Sequence, residues 1–401
     1  MKILFICPYT PFPLTDGGKT RVFNIIKRLS LKHDISLICY IKSEKDRAGI
    51  PELSKYCEKV IPVLRRPVWS PVNLMITLFT RYPFSYVVNG FSKAMEKFIL
   101  QELEAEKYDL IHVENYFMSH PVIRALKRHE LRIPKLLAVQ NIEYLVYERY
   151  SNVEWNIIKK LLLFIDARKT KKIERGSWGY YDLCIFASAI DMGHFKRYYP
   201  YNKSAVIGNG VDVDFYKPSG VSADECSMAF LGNFRYIANV DAINYFMRDI
   251  MPLVVKKNAG ATLRIIGNDP LLKASKLLGP GIYVTGYVED VREELKRAQV
   301  FIAPIRIGSG TKLKILEAMA MGMPVVGTTV AFEGLDVKDG QDAFIEDEPE
   351  RFAGRVVDLL ADPSLRRKIG SNARRVVESK YDWNNIAIKL NEYYNELICR
   401  T

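Results

Sequence analysis

Short apolar runs alternate along this chain with longer stretches of helical periodicity. Apolar runs of three to six residues bounded by turn residues predict buried strands, and the amphipathic stretches between them predict helices. This alternation is typical of βα units in a parallel sheet. The first series of predicted strands covers residues 2–6, 35–40, 110–113, 135–139 and 183–186. The second series covers residues 227–231, 262–266, 282–285, 300–303, 324–326 and 343–345.

The pattern breaks once, between residues 202 and 222, at a GNGVD sequence followed by Pro218-Ser219-Gly220. Turn residues of this kind interrupt regular structure. Because 401 residues exceed the size of a typical single domain, the break predicts two α/β domains, residues 1–205 and 206–382. Ligands of parallel sheets bind outside the carboxyl ends of the strands, so functional residues are expected in the loops that follow them.

The composition is that of a folded globular protein, with 48% hydrophobic residues. Six scattered cysteines without a C-x-x-C spacing predict a reducing cytoplasm and no zinc site. The N-terminal apolar run ends at Pro8 and is shorter than the core of a signal peptide. Uncharged apolar stretches fall short of the roughly 18 residues that a membrane span needs. The sequence therefore predicts a cytoplasmic protein that does not cross a membrane.

All of the net charge of +12 lies in residues 1–200. Two windows, residues 59–86 and 155–178, interleave Lys and Arg with Trp, Leu, Ile and Phe, and the first contains no acidic residue. Such windows fit a surface that rests on anionic lipid headgroups. Nucleic acid is the other polyanion that a basic face attracts, but no nucleic-acid-binding module is recognised. Alternatively, residues 161–165 form the core face of a helix whose lysines are solvated.

The most informative segment is RIGSGTKLKILEAMAMGMPVVGT, residues 306–328. A Gly-Ser-Gly loop leads into a predicted helix that carries Lys314 and Glu317. The unpaired amides and the positive dipole end of a helix N-terminus suit an anion. Glu317 would repel a diphosphate, so its expected partner is a neutral hydroxyl pair such as a ribose. The helix N-terminus and Glu317 together predict a binding site for a nucleoside diphosphate. The alternative is an ordinary turn with Thr311 as N-cap and a solvated Lys314–Glu317 pair.

Several segments resemble glycosyltransferase family 4. They are GNGVDVDFYKP (208–218), AFLGNFRYIANVDAINYF (229–246) and residues 283–328 in the second half, and residues 8–38 and 109–121 in the first. The family comprises retaining, nucleotide-sugar-dependent enzymes of the GT-B fold. The resemblance implies two Rossmann-like domains that face each other across a cleft, the first binding the acceptor and the second the donor. It also implies that a C-terminal helix, residues 383–398, packs back on the first domain.

The resemblance further implies roles in donor binding. Gly17 and Gly18 resemble the glycine loop of the family's first domain, where a missing Cβ lets backbone amides approach the donor. Arg235, which follows Gly232, resembles the basic residue that meets the diphosphate and stabilises the leaving group. Val288 resembles the position whose backbone contacts the nucleobase. The rest of the predicted donor-binding loop is Ser309, Gly310, Thr311, Lys312 and Leu313.

The chain departs from the family pattern at two donor positions. The family commonly has two glutamates separated by seven residues; Glu317 matches the second, but Ser309 occupies the first. Recognition of the donor sugar is therefore expected to differ from the common pattern. The usual lysine after the arginine is also missing near Asn239, and Lys312 or Lys314 is expected to supply its charge, with Lys314 favoured.

The acceptor side departs as well, because Asn141 stands near the position where relatives often carry a histidine. Retaining enzymes of this type need little from a protein base, since a departing phosphate oxygen can take the acceptor proton. Asn141 would then orient the sugar. His112 and Glu114 are alternatives, although a histidine at a strand end is more often structural. The predicted catalytic residues are Arg235, Lys314, Glu317 and Asn141.

Taken together, the sequence predicts a retaining hexosyltransferase of cell-surface glycan biosynthesis. It would use a UDP- or GDP-sugar and a lipid-linked or polysaccharide acceptor, and would sit peripherally on the inner face of the plasma membrane. No cofactor and no essential metal are expected, because Lys and Arg can neutralise the diphosphate; the D-x-D of Asp212 to Asp214 lies in the interdomain turn. The alternative is a non-catalytic GT-B binding or assembly subunit, suggested by Ser309 and by Gln140-Asn141.

Overall fold

The computed structural model describes residues 1–128, 130–153, 156–218, 220, 223–267, 279–307 and 310–399. The chain divides into two compact units. The first comprises Met1–Gly208 together with Ile386–Thr401, and the second comprises Asn209–Asn385.

A parallel sheet forms the centre of the first unit, with the strand order β3-β2-β1-β4-β5-β6-β7. Its strands are β1 (Lys2–Cys7), β2 (Asp34–Ile41), β3 (Lys59–Leu64), β4 (Leu110–Glu114), β5 (Lys135–Val139), β6 (Leu183–Phe186) and β7 (Ser204–Val206). All five strands predicted for this half are present. The two edge strands, β3 and β7, were not predicted. Residues 59–64, interpreted from the sequence as part of a lipid-facing window, instead pair with β2, and Pro62 is tolerated because β3 is an edge strand.

The helices of the first unit cover both faces of this sheet, as parallel sheets require. They are α1 (Gly17–Leu29), α2 (Ile50–Leu53), α3 (Pro71–Phe79), α4 (Phe84–Gly90), α5 (Lys93–Ala105), α6 (Ser119–Arg128), α7 (Glu143–Val153), α8 (Ile157–Trp178) and α9 (Ala189–Lys196). The last helix of the chain, described below as α16, adds most of its length to this unit.

The second unit contains a parallel sheet with the order β10-β9-β8-β11-β12-β13. All six strands predicted for this half are present: β8 (Ser227–Leu231), β9 (Thr262–Ile266), β10 (Ile282–Gly286), β11 (Val300–Ala303), β12 (Val325–Gly327) and β13 (Phe344–Ile345). The helices are α10 (Ile237–Tyr245), α11 (Met251–Lys257), α12 (Val291–Leu295), α13 (Leu313–Ala320), α14 (Pro349–Ala361), α15 (Pro363–Lys380) and α16 (Trp383–Ile398).

The chain enters and leaves the second unit at neighbouring points. Val211 and Asp382 form a parallel β-bridge. The Val211 N–H donates to the carbonyl of Tyr381 (2.8 Å), and the Trp383 N–H donates to the carbonyl of Val211 (3.3 Å). Two backbone hydrogen bonds therefore hold the ends of this unit together.

The last helix returns to the first unit and packs into it. Leu390 and Tyr394 are fully buried. The Nε2 atom of His33 lies 2.7 Å from the side-chain oxygen of Asn391, and the hydroxyl of Tyr394 is hydrogen-bonded to Nδ1 of His112. The first unit therefore combines the two ends of the chain.

Each sheet reverses its strand order at one point, between β1 and β4 in the first unit and between β8 and β11 in the second. Adjacent crossovers run to opposite sides at such a point and leave a crevice outside the carboxyl ends of the strands. The prediction of two doubly wound, Rossmann-like parallel sheets is confirmed. Within the described ranges, no helix is both long and apolar enough to cross a membrane.

Candidate functional site

In the second unit, two loops meet where the strand order reverses. One follows β8 and contains Gly232 and Arg235, and the other follows β11 and leads into α13. Gly267, at the end of β9, approaches the first loop so closely that a Cβ atom would stand 1.8 Å from the carbonyl oxygen of Gly232. Its φ of +143° also excludes most other residues. This backbone contact fixes the loop that carries Arg235.

Lys314, on α13, reaches the first turn of α10, which follows that loop. Its Nζ atom donates to Oδ1 of Asn239 (2.6 Å), and Nδ2 of Asn239 donates to the carbonyl of Asn233 (2.8 Å). Lys312 instead faces Glu333, at 3.8 Å. Of the two lysines expected to supply the missing charge, Lys314 is therefore the one that stands beside Asn239 and the loop of Arg235.

Arg235 is exposed in this loop, and its backbone N–H donates to Oδ1 of Asn233 (3.0 Å). Gly310 has a φ of +72°. The N-cap of α13 is Lys312, so the alternative interpretation with Thr311 as N-cap is wrong. The loop thus brings Gly310 and Thr311 to the beginning of α13, as the sequence predicts.

The remaining predicted donor residues differ in how much the structure describes. Val288 and Leu313 are partly buried and pack against the core of the second unit. The expected contact between the nucleobase and the backbone of Val288 stays a prediction. Ser309 lies outside the described residues, so the expectation for sugar recognition stays a prediction.

Glu317 lies one turn beyond Lys314, and the nearby hydroxyl of Tyr216 acts to lower the pKa of its carboxyl. The backbone of Tyr216 is fixed in turn by Arg374, whose guanidinium donates to the carbonyls of Tyr216 (2.6 Å), Val213 (3.0 Å) and Ala320. Tyr216 was missed by the sequence analysis. The quoted GNGVDVDFYKP segment contains it, but no sequence pattern links its hydroxyl to a carboxylate one hundred residues away.

The two charged groups of α13 are both held away from their ordinary pKa values. Burial raises the pKa of Glu317 to about 7, against the opposing effects of the Tyr216 hydroxyl and Lys314. Burial lowers the pKa of Lys314 to about 7, against the opposing charge of Glu317. Clusters of ionisable groups shifted in opposite directions are frequent at functional sites.

These shifts predict that Lys314 and Glu317 lower the stability of the second unit most near pH 7. Raising the pKa of Glu317 from 4.5 gives a stabilising contribution that is complete below pH 4.5 and lost as the pH rises through about 7. Because the pKa of Lys314 is lowered from 10.5, its contribution to the stability of the folded unit is complete above pH 10.5 and is lost as the pH falls through about 7. The double variant Lys314→Met/Glu317→Gln is expected to melt roughly 2–4 °C higher at pH 7.

Calorimetric melting curves recorded between pH 5 and pH 9 measure this effect. The stability minimum near pH 7 is expected to become shallower in the double variant. Replacement of the exposed residues Lys338 and Glu350 by the same residue types provides the matched control. A double variant that melts below the parent at pH 7 would show that the pair stabilises the unit.

In the first unit, Gly17 and Gly18 are the first two residues of α1, whose N-cap, Asp16, accepts from the backbone N–H of Lys19 (3.0 Å). A Cβ atom on Gly18 would stand 2.8 Å from Oε1 of Gln140 and 2.9 Å from the hydroxyl of Tyr9. Glycine at position 18 thus lets α1 begin directly against the loop that follows β5, where Asn141 is exposed.

A buried polar network lies beneath these residues. Glu114 accepts from Nε2 of Gln140 (3.1 Å) and lies 3.0 Å from Nε2 of His112; Gln140 also donates to the hydroxyl of Tyr9 (2.8 Å). Burial raises the pKa of Glu114, but the hydrogen bonds of His112 and Gln140 and the charge of Arg21 outweigh it and hold the pKa below its ordinary value. His112 and Glu114 are fully buried. They support the loop through Gln140, a contact that the sequence alone did not reveal, and their alternative role at the acceptor stays a prediction.

Glu143 is a second ionisable group close to Asn141 that sequence reasoning missed. It is the first residue of α7, and Nδ2 of Asn115 lies 3.4 Å from its Oε1. Burial raises the pKa of Glu143 to about 7. The first unit thus presents an exposed amide and a readily protonated carboxyl at the carboxyl edge of its sheet.

The sequence predicts a site that needs no metal ion. Throughout the described part of the chain, no group of three or more His, Cys, Asp or Glu side chains lies close enough to hold a metal ion. The expectation that no metal is needed stays a prediction.

Two family models match the chain. The model described as Glycosyltransferase Family 4 matches residues 15–215, about half of the chain, and the model described as Glycosyl transferases group 1 matches residues 225–362. An uncharacterized 44.6 kDa protein in the cps region of Klebsiella pneumoniae is 25% identical over 395 residues, 95% of this chain and 96% of that protein. The capsular polysaccharide biosynthesis glycosyltransferase CapM of Staphylococcus aureus is 28% identical over 156 residues, 36% of this chain and 40% of CapM.

Solved structures resemble the whole chain. Sucrose-phosphate synthase from Thermosynechococcus elongatus has a TM-score of 0.73 at 17% identity, with all of both chains covered. HepE from Anabaena, solved in complex with UDP and glucose, has a TM-score of 0.67 at 16% identity, with 99% of this chain and 100% of HepE covered. At these identities the likeness shows the fold alone.

Proposed function

This chain belongs to glycosyltransferase family 4 and has the GT-B fold, and we propose that it transfers a hexosyl group from a UDP- or GDP-sugar with retention of configuration. The acceptor that we propose is a lipid-linked or polysaccharide intermediate of cell-surface glycan biosynthesis. The relatives in a cps region and in capsular polysaccharide biosynthesis support that process.

The observation that carries the donor proposal is the pairing of Lys314 with Asn239 beside the loop of Arg235. Two cations at one loop can neutralise a diphosphate and stabilise it as a leaving group. Glu317, one turn further along α13, lies near the hydroxyl of Tyr216 and would accept hydrogen bonds from two ribose hydroxyls. The complex of HepE with UDP and glucose agrees with a donor of this chemical class.

The acceptor would be oriented by Asn141 at the edge of the first sheet. In a retaining transfer, the bond between the anomeric carbon and the phosphate oxygen breaks, and the acceptor oxygen bonds to that carbon on the same face. The acceptor proton passes to the departing phosphate oxygen, so a protein base is not required. Burial of His112 and Glu114 agrees with this route, because neither could take the proton. We propose that the reaction takes place at the cytoplasmic face of the membrane, where the basic first unit meets anionic lipid.

The test is release of nucleotide from a panel of UDP- and GDP-sugars offered with a lipid-linked acceptor mixture. One donor is expected to give UDP or GDP together with a glycosylated acceptor. Nucleotide binding without turnover against any acceptor would favour the alternative, a non-catalytic binding or assembly subunit. Absence of UDP and GDP binding would overturn both.

The contact between Tyr216 and Glu317 gives a prediction for donor affinity. Tyr216→Phe removes the hydroxyl that acts to lower the pKa of Glu317, and we propose that this hydroxyl also orients the carboxylate. A hydrogen bond to a charged group contributes roughly 1.5–3 kcal/mol. Because Tyr216 acts through Glu317 and does not touch the nucleotide, only part of this free energy is lost, and the Kd for the nucleotide is expected to be about tenfold weaker. Isothermal titration calorimetry measures it. Tyr283→Phe, at an exposed tyrosine of β10, is the control; equal affinities of both variants and the parent would remove Tyr216 from the site.

A further inference from the structure

The first half of α8 exposes a row of large apolar side chains. Ile157 and Ile158 are 82% and 73% exposed. The exposure extends through most of residues 161–165, which contradicts their interpretation as a core face. The other exposed apolar residues of this half are Leu161, Leu162, Phe164 and Ile165.

A second apolar group adjoins it, on α3 and the segment before it. Leu78 and Phe79 are 75% and 78% exposed. Nζ of Lys169 on α8 donates to the carbonyls of Thr77 (3.0 Å) and Thr80 (3.1 Å), which fastens the end of α3 to α8. The other exposed apolar residues of this group are Trp69, Val72, Leu74 and Met75. We refer to the two groups together as the apolar surface.

The second half of α8 has a different chemistry. Four cations at spacings of three and four residues, which put them on one face of a helix, line a cavity of about 570 Å³ together with two tyrosines that follow α9. Within the described residues no carboxylate lines it. We refer to it as the basic pocket, and its polar lining consists of Arg168, Lys171, Lys172, Arg175, Tyr198 and Tyr199.

Lys171 pairs with a carboxylate, while a second carboxylate nearby is engaged by backbone N–H groups. Glu148 lies 3.3 Å from Lys171. Glu174, on α8 itself, is fully buried and accepts from the backbone N–H groups of Glu143 and Tyr144. The guanidinium of Arg175 lies over the ring of Tyr198, 3.2 Å from its centroid, which holds it at the wall of the pocket. The pocket is therefore built for an anion with several oxygens.

We propose that the basic pocket binds the phosphate of an anionic phospholipid headgroup, while the apolar surface enters the acyl-chain region directly below the headgroups of the same leaflet. This inference deepens the proposed function and rests on it for the location at a membrane. The change from apolar to basic runs along α8. At 1.5 Å per residue, Leu161 and Lys172 lie about 16 Å apart, so an inclined helix can place its first half below the headgroups and its second half among them. Interfacial segments bury an apolar face roughly 5–10 Å deep in this way.

Sedimentation with vesicles tests the pocket. The parent is expected to bind vesicles of phosphatidylcholine with phosphatidylglycerol and to bind pure phosphatidylcholine weakly. The variant Arg168→Gln/Lys172→Gln is expected to lose about thirtyfold in affinity for the anionic vesicles. The variant Lys256→Gln/Lys257→Gln removes the same charge from exposed positions of the second unit and is expected to bind like the parent. Equal losses in both variants would show that vesicle binding depends on the total positive charge of the protein and not on the pocket, which would overturn the proposal.

The apolar surface is tested by Leu161→Ser/Leu162→Ser, with Leu31→Ser as the control at an exposed position outside it. Only the first is expected to weaken binding to both kinds of vesicle. If instead it turns a dimer into a monomer that still binds vesicles, the surface joins two copies of this chain and the proposal fails. Titration with inorganic phosphate separates a headgroup from a soluble ligand: tight binding without vesicles, lost in the pocket variant, would assign the pocket to a free phosphate.

Nucleotide binding in the absence of vesicles keeps this proposal apart from the proposed function. The pocket variant is expected to bind UDP or GDP like the parent, because the basic pocket belongs to the first unit and the donor residues Lys314 and Glu317 to the second. Loss of vesicle binding with intact nucleotide binding supports the pocket. A parent that binds vesicles but no nucleotide refutes the proposed function alone.

Discussion

Replacement of Glu317 by alanine is expected to weaken the binding of UDP or GDP by about two orders of magnitude. Each hydrogen bond to a charged group contributes roughly 1.5–3 kcal/mol, and the variant loses two such bonds to the ribose, which corresponds to about 100-fold or more. Glu317→Gln keeps the size and one acceptor oxygen and is expected to lose less. Calorimetric titration with the nucleotide measures the affinities.

Because Glu317→Ala leaves Lys314 without its opposing charge, melting curves of the parent and of both Glu317 variants separate a loss of affinity from a loss of folded protein. Glu350→Ala, at an exposed position of α14, is the control. An alanine variant that binds nucleotide as tightly as the Glu350 control would contradict the assignment of the ribose to α13.

The second large effect is expected for Arg235→Ala, in turnover more than in donor binding. If Arg235 stabilises the charge that develops on the departing diphosphate, its loss acts mainly on the transition state. Loss of one such donor lowers kcat by about 10²–10³. Arg235→Lys keeps the charge but cannot bind two phosphate oxygens at once, so it is expected to restore only part of the activity.

The measurement is nucleotide release with the donor that the panel identifies, with kcat and KM determined separately. Arg351→Ala, at an exposed position of α14, is the control and is expected to behave like the parent. A rise in KM without a fall in kcat would give Arg235 a role in ground-state binding only.

The sequence predicted the central strands well because they are buried on both faces. Strands such as β1 and β11 are continuous apolar runs, and such runs are distinctive without any knowledge of their neighbours. The edge strand β3 is interrupted by Pro62 and mostly only partly buried, and β7 has three residues. Each pairs with a single neighbour, β3 with β2 and β7 with β6, and neither forms a long, fully buried apolar run, so local patterning could not reveal them.

The residues of the candidate site also fall into those that the sequence predicts and those that it does not. Lys314 and Glu317 share a helix face at a spacing of three residues, and the sequence alone puts them together. The partners that orient them, Asn239 and Tyr216, come from other elements. Gln140 is a similar case, because its contacts with Glu114 and Tyr9 arise only when β1, β4 and β5 align in the sheet. Local spacing therefore predicted the charged groups, and tertiary contacts supply the side chains that fix them.

The hydrogen-bonded crossing at Val211 and Asp382 bears on the order in which the protein folds during synthesis. Asn209–Asn385 is a continuous stretch and can close as soon as it has left the ribosome. The first unit is incomplete until α16 has been made, because His112 obtains its Tyr394 partner from that helix. An early stop codon that removes α16 would thus damage the part of the protein that is made first. A fragment ending at Gly208 would likewise be incomplete unless residues 386–399 were joined to it through a short linker.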